Sequence, residues 1–448
     1  MIEGVFRAGI GSALLKEEPM NRIAVLSRLL CLCLFSSLFI LPACLPSIAA
    51  AATYGGGSGT EKDPFLIQDA NQFILIGQTP GDWGSHFKLV SDIDLSEHDP
   101  TTLQPIGRWV SLGNNANQPF TGSFDGTGKT VRGFQYKDMQ SPYVGLFRYV
   151  TGEIRDLHLV APGIVADAMG AGALVGYLGG GGVYNCSVTD ARVSGNGEVG
   201  ALIGLVDGRV RACWSTGRVT GVWSVGGLIG RIGSGTVERS YSTAVVTGDD
   251  SVGGLVGSVS NLMSIMDSCY ARGSVVGRIY VGGLIGALNA GRIYSCYSVG
   301  KISGKEFVGG LVGTRRVNGE VVGSFWDTQT SGQTTSAGGT GKTTAEMKKA
   351  DIYFSMSWDF YVVWSLCEGL TYPIFQWQIP PGDLRCPDGV DFTDFAWFAA
   401  QWRNNACGQG NWFCDGADLD KSGGVNPQDL AVFAANWLAG LEWHWINP

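Results

Sequence analysis

From residue 144 onward one apolar motif recurs with little drift: VGLF at 144–147, GALVG at 172, GALIG at 200, GGLIG at 226, GGLVG at 253, GGLIG at 282 and GGLVG at 309. The motif leucines stand at 146, 174, 202, 228, 255, 284 and 311, so successive steps are 28, 28, 26, 27, 29 and 27 residues. A second landmark follows each leucine by 11 to 14 residues, as YNCSV around Cys186, RACWS around Cys213, ERSYS around Ser240, DSCYA around Cys269, YSCYS around Cys296 and GSFWD around Phe325. A third is a short GxVxG-like run, such as GRVTG at 217–221 and GKISG at 300–304. The runs are rich in Val, Ile, Tyr and Ser, are divided by Gly, and contain no ten-residue stretch of helical period. Each unit therefore predicts three short strands. A single coil of this kind cannot bury its apolar side chains, whereas stacked coils place Leu on Leu at a strand spacing of about 4.8 Å. The pattern predicts an all-β fold, a right-handed parallel β-helix or β-solenoid of about seven or more coils. Glycine is expected to supply the positive-φ corners between faces.

The repeats resemble the GLUG family, named for a Gly-Leu-any-Gly core, over residues 144–330. Flanking stretches are similar to the same family: GSGTEKDPFLIQ from Gly57, FKLVSDIDL from Phe87, FTGSFDGTGKTVRGF from Phe120, and GKTTAEMKKADIYFSMSWDFYVVW followed by TYPIFQW. The unpaired strands at a solenoid's ends need covers. DANQFILIG, with Asp69 as its N-cap, predicts a covering helix at one end, and GKTTAEM predicts another with Thr343 or Thr344 as its cap. GGTGKTT also approaches a phosphate-binding loop, but Ser336 stands where that motif needs its first Gly, and Ala337 where the deviant form needs Lys. Nucleotide binding is not expected.

After Pro380 and Pro381 the pattern changes to an internal duplication 35 residues apart. VDFTDFAWFAAQW from Val390 aligns with VNPQDLAVFAANW from Val425, and each reads as a loop followed by a short amphipathic helix. In DLDKSGGVNPQD, Asp418, Asp420 and Ser422 hold the first, third and fifth positions of a twelve-residue calcium loop. Gly423 makes the turn, the Gly424 carbonyl is seventh, Asn426 ninth and Asp429 twelfth. Hard oxygen donors at alternate positions wrap calcium, while magnesium resists such a geometry. The first loop, DLRCPDGVDFTD, keeps Asp383, Asp391 and Asp394 but puts Arg385 and Pro387 at ligand positions, so a metal there is doubtful and a disulfide from Cys386 to Cys407 or Cys414 is the expected brace. With Cys367, the four cysteines allow three pairings. Residues 382–440 resemble a dockerin-like module, which implies calcium as cofactor and a cohesin-like receptor or extracellular scaffold as partner.

Residues 20–52 carry Arg22 and Arg28, an apolar run from Leu29 to Leu41 and a small-residue end, the form of a secretory signal whose start is Met20. Pro42 stands where a lipoprotein anchor at Cys44 takes a small or branched residue, so lipidation is not expected. No transmembrane segment is expected after the signal is removed. The domain order reads as 1–52 signal, 53–143 cap and first coils, 144–330 repeats, 331–381 closing cap and linker, and 382–440 tail. The expected address is secreted or cell surface. A net charge of -8 with 16% charged residues gives neither a basic nucleic-acid face nor the charge density of a disordered chain. Cys186, Cys213, Cys269 and Cys296 occupy equivalent coil positions and are expected to be buried free thiols, because in-register neighbours sit at strand spacing, wider than a disulfide takes.

Four histidines and no HExxH or GxSxG motif leave Asp92 and Asp94, with Arg108 or Arg148 beside them, as the best catalytic candidate. The reading is a non-catalytic repeat protein that binds a glycan or protein along the solenoid, with Trp214, Trp223 and Trp326 as candidate sugar contacts, and docks through its tail. The alternative is a polysaccharide lyase or hydrolase of parallel β-helix fold.

Overall fold

A computed structural model describes residues 53–100, 103–167, 169–385, 388–408 and 411–440; the signal assigned to residues 1–52 lies outside the described residues. The chain winds into a parallel β-solenoid of about seven coils, followed by a short helical region. Adjacent coils meet strand on strand in parallel register, as in Val175↔Ile203, Ile203↔Ile229, Ile229↔Val256 and Val256↔Ile285. The seven motif leucines are all buried. From Leu174 to Leu284 each donates its backbone N–H to the carbonyl of the motif leucine one coil on, at 2.9–3.0 Å. The stack buries a continuous column of apolar side chains, which is why one coil's core is completed only by its neighbours.

Central coils have four strands, or five where the third is split in two, rather than the expected three. In one coil they are Ile203–Val206, Arg209–Arg211, Trp214–Thr220 and Trp223–Gly226, the last belonging to a separate six-stranded parallel sheet. The extra strand escapes a period-two reading because its second residue is left-handed: Glu198, Ser224, Ser251, Tyr280 and Phe307 all have φ between 52° and 56°. A second left-handed ladder, Asn185, Ala212, Arg239, Ser268 and Ser295, stands directly before the Cys/Ser landmark. Glycine is therefore not what turns most corners. The motif glycines have another cause: a Cβ on Gly226, Gly253, Gly282 or Gly309 would lie 2.0 Å from a backbone carbonyl oxygen three residues on, and one on Gly230 or Gly257 would meet the backbone of the preceding coil at 2.1 and 2.3 Å. They allow backbone to touch backbone.

The landmark cysteines 186, 213, 269 and 296 are buried free thiols, as expected. Burial pushes the Cys213 thiol up to about 12. The next residue in each coil builds an outer stack, Trp214, Tyr241, Tyr270 and Tyr297, with ring centroids 4.7–5.8 Å apart. Residues 358–377 cover it with Trp358, Trp364 and Phe375, and Arg272 is fixed between the Tyr297 hydroxyl and the Pro373 carbonyl at 2.9 and 3.2 Å. The end helices form where the caps predicted them. Asp69 accepts from Gln72 N–H ahead of Ala70–Gln78, and Thr343 forms a capping box with Glu346 ahead of Thr344–Met347. The GKTT run is thus a strand, Thr340–Lys342, leading into a one-turn helix. Among the described residues no helix is long and apolar enough to cross a membrane.

Candidate calcium-binding loops

The tail consists of two loop–helix units whose helices are Phe392–Ala400 and Pro427–Ala435. Asp391 caps the first helix and Asn426 the second, accepting from Thr393 and Gln428 N–H at 2.6 and 2.8 Å. Asp394 and Asp429 reach back to accept from the N–H of those cap residues at 2.9 Å each. Reciprocal backbone bonds lock the units together: Val390 pairs with Leu438 and Ala439, and Val425 with Arg403 and Asn404, at 2.8–3.0 Å. These positions are 35 residues apart, so the duplication is a structural pseudo-dyad. Phe398 and Phe433 stack at its centre, 5.2 Å apart.

In the second loop Asp418, Asp420 and Asp429 bring carboxylate oxygens within 4.8 Å of one another. Asp418 and Asp429 are 2% and 0% exposed. Backbone N–H groups hold the arrangement: Ser422 and Gly423 donate to Asp418 at 2.9 Å, and Asp420 to Asp429 at 3.0 Å. The Ser422 hydroxyl and backbone keep the Asp420 carboxyl below the usual range. Among the described residues none of these three carboxylates forms an ion pair, and Lys421 lies 5.3 Å from the Phe413 ring centre instead. Buried carboxylates this close are costly unless a proton or a cation offsets them, and an all-oxygen donor set suits calcium. The Asn426 side chain is engaged elsewhere: its oxygen caps the helix and its Nδ2 donates to the Gly424 carbonyl at 2.9 Å and to the Ser422 hydroxyl at 3.2 Å.

The first loop holds its own cluster, Asp383, Asp388 and Asp394, with the same 4.8 Å convergence. Asp391 does not belong to it, being the helix cap; Asp388, which sequence reading left out, does. Asp383 Oδ1 is buried without a hydrogen-bond partner. Burial first, then the charges of Asp394, Asp388 and Asp391, push the Asp383 carboxyl up to about 7, against one hydrogen bond from Gly389 N–H. Arg385 is not the expected obstacle, because its guanidinium lies over the Trp397 ring, 4.4 Å from the centroid. The brace also differs from expectation: Cys407 is bonded to Cys414, with Cα atoms 4.9 Å apart, so neither is free for Cys386. Cys367 is disulfide-bonded too, and Cys386 lies outside the described residues.

The catalytic candidates do not converge. Asp92 accepts from Thr130 N–H at 2.8 Å, and Asp94 accepts from the backbone and hydroxyl of Ser96, which hold both carboxyls below the usual range. Arg148 is bound to Asp138 at 2.8 Å, and Arg108 bridges backbone-to-backbone with Gln118. Trp326 is buried and donates to Gln333 O at 3.1 Å, Trp214 is stacked on Tyr241, and Trp223 is half-buried. Burial thus takes Trp326 out of reach of a ligand, while Trp214 and Trp223 keep part of their surface exposed.

No family model matches the chain. A protein of Evansella cellulosilytica named "Putative Gly-rich membrane protein" is 33% identical over 168 residues, covering 36% of this chain and 18% of that protein. "Halomucin" of Haloquadratum walsbyi is 31% identical over 179 residues, 39% of this chain and 2% of that protein. The chain thus spans less than a fifth of the length of either relative. A crystal structure from Bacteroides ovatus, described as a "putative immunoglobulin A1 protease", is 21% identical with a TM-score of 0.47, covering 72% of this chain and 95% of that one.

Proposed function

We propose that the chain is an exported, non-catalytic repeat protein of GLUG type, in which the solenoid is a rigid binding scaffold and the tail is a dockerin-like module that docks to an extracellular receptor when calcium is bound. The observation that carries the reading is the convergence of Asp418, Asp420 and Asp429, two of them buried and all without an ion pair among the described residues, in a unit duplicated about a pseudo-dyad. In this reading the second loop holds calcium through those carboxylates and the Gly424 carbonyl. The first holds a second ion through Asp383, Asp388 and Asp394, which gives the orphaned Asp383 oxygen a partner. The small apolar core between the loops is too little to hold the tail alone, so metal binding supplies folding free energy. Asp92 and Asp94, spent on backbone N–H groups, support the non-catalytic part. The name of the Evansella relative supports a place at the cell envelope.

The test is thermal unfolding of residues 53–448 in calcium and in chelator. The tail transition is expected to rise in calcium by several degrees and to lose part of that rise in Asp418→Ala. Identical melting in both conditions would remove the reading.

A further inference from the structure

Two clefts lie on the strand faces near the first coils, and their charges are arranged differently. In one, of about 640 Å³, Lys88, Arg155 and Arg209 stand against Glu61, Asp125 and Glu153, and Arg155 is paired with Asp125 at 2.9 Å and lies near Glu153 at 3.9 Å, so acidic and basic residues balance on its lining. The other, of about 890 Å³, is lined by Gln135, Lys137, Arg192, Arg218 and Thr220, with Asp190 the one acidic residue on its lining. Arg192 and Arg218 are register partners on adjacent strands. Like charges on neighbouring rungs, about 4.8 Å apart, repel. Both arginines and Lys137 are exposed, and among the described residues none of the three makes a side-chain hydrogen bond or ion pair. One rung before Arg192 the row holds Gly163, over which the Gln135 amide lies: a Cβ there would be 2.0 Å from Gln135 Oε1. The parallel row beside it carries Ser194 and Thr220. The cleft therefore presents an unanswered positive pair flanked by an amide and hydroxyls, on a protein whose net charge is -8.

We propose that this cleft binds an anionic polysaccharide, its carboxylate or sulfate groups held by Arg192 and Arg218 and its hydroxyls by Gln135, Ser194 and Thr220. Guanidinium forks match carboxylate and sulfate oxygens with paired hydrogen bonds. An extended glycan advances by roughly one rung per sugar at the strand spacing, so successive rungs can meet successive rings. A small free anion would use the arginines and leave the hydroxyl row idle. The proposal rests on the binding half of the function above and is independent of the calcium half.

The experiment is calorimetric titration of residues 53–448 with polygalacturonate, dextran sulfate, uncharged dextran and duplex DNA, each at low and at 0.5 M salt. Polygalacturonate or dextran sulfate is expected to bind, to weaken with salt, and to lose at least tenfold in affinity in the Arg192→Gln/Arg218→Gln double variant. Which of the two binds distinguishes carboxylate from sulfate. Arg155→Gln, in the other cleft, is expected to bind as the unaltered chain does. Because both arginines are exposed, the double variant should melt with the parent, which separates lost binding from lost fold. Dextran binding that the double variant retains would overturn the anionic site while leaving a glycan-binding scaffold standing. Equal binding of DNA and polygalacturonate, or no binding of either anionic glycan, would overturn the proposal.

Discussion

At the scale of single residues, glycine and the left-handed corner divide labour in a way composition does not reveal. With 68 glycines, the chain invites the inference that glycine turns the corners. Yet the two corner ladders are filled mostly by Ser, Glu, Asn, Ala, Arg, Tyr and Phe, each accepting about 1–2 kcal/mol of left-handed cost. The motif glycines 226, 253, 282 and 309 stand instead where a Cβ would strike backbone. Gly226→Ala, whose new carbon would sit 2.0 Å from Ile229 O, is accordingly expected to destabilise the solenoid by about 3 kcal/mol, read from the urea midpoint. A change under 0.5 kcal/mol would mean that the coils can part. Which glycine does which job was not legible in the sequence, because the atoms in contact come from the winding rather than from the motif. The capping residues Asp69 and Thr343 were legible, since a cap is a local arrangement within three or four residues.

At the scale of elements, the three main strands of each coil showed in the spacing of Leu, Cys and Val, and the fourth did not, because a left-handed residue at its second position breaks alternation. Where that fourth strand meets the first strand of a neighbouring coil, the ladders place Glu198, 1% exposed, with Oε1 2.7 Å from Arg231 Nε but without an aligned hydrogen bond. Burial raises the Glu198 carboxyl despite the pull of Arg231, and Asp207 adds to the rise. A raised carboxyl favours the fold below the unfolded carboxyl range and loses that contribution as pH climbs through the folded value. Glu198→Gln should therefore be more stable than the parent at pH 7, on the order of 1 kcal/mol, with the difference shrinking toward pH 4; Arg231, one-third exposed, keeps its water. A variant less stable at pH 7 would mean that the ion pair outweighs its desolvation. In the tail, loop spacing gave Asp418, Asp420 and Asp429. It missed Asp388, which stands where such loops take their turning glycine, and it misjudged Arg385, whose removal onto Trp397 depends on a helix one turn further along.

At the scale of the whole molecule, a column of stacked leucines and a duplicated helical tail are both periodic features, 26–29 residues in one and 35 in the other, and periodicity is what a sequence displays most openly. Sites assembled from several coils are less open: the unanswered Arg192–Arg218 pair comes from register, which no motif announces. Docking through the tail depends on metal in its two loops. The most direct measurement is calcium titration by calorimetry of residues 53–448 at pH 7.5, alongside Asp418→Ala and Asp383→Ala. The expected stoichiometry is two, reduced to one by each substitution. Heat of binding absent from the unaltered chain, or a stoichiometry that neither substitution changes, would contradict it.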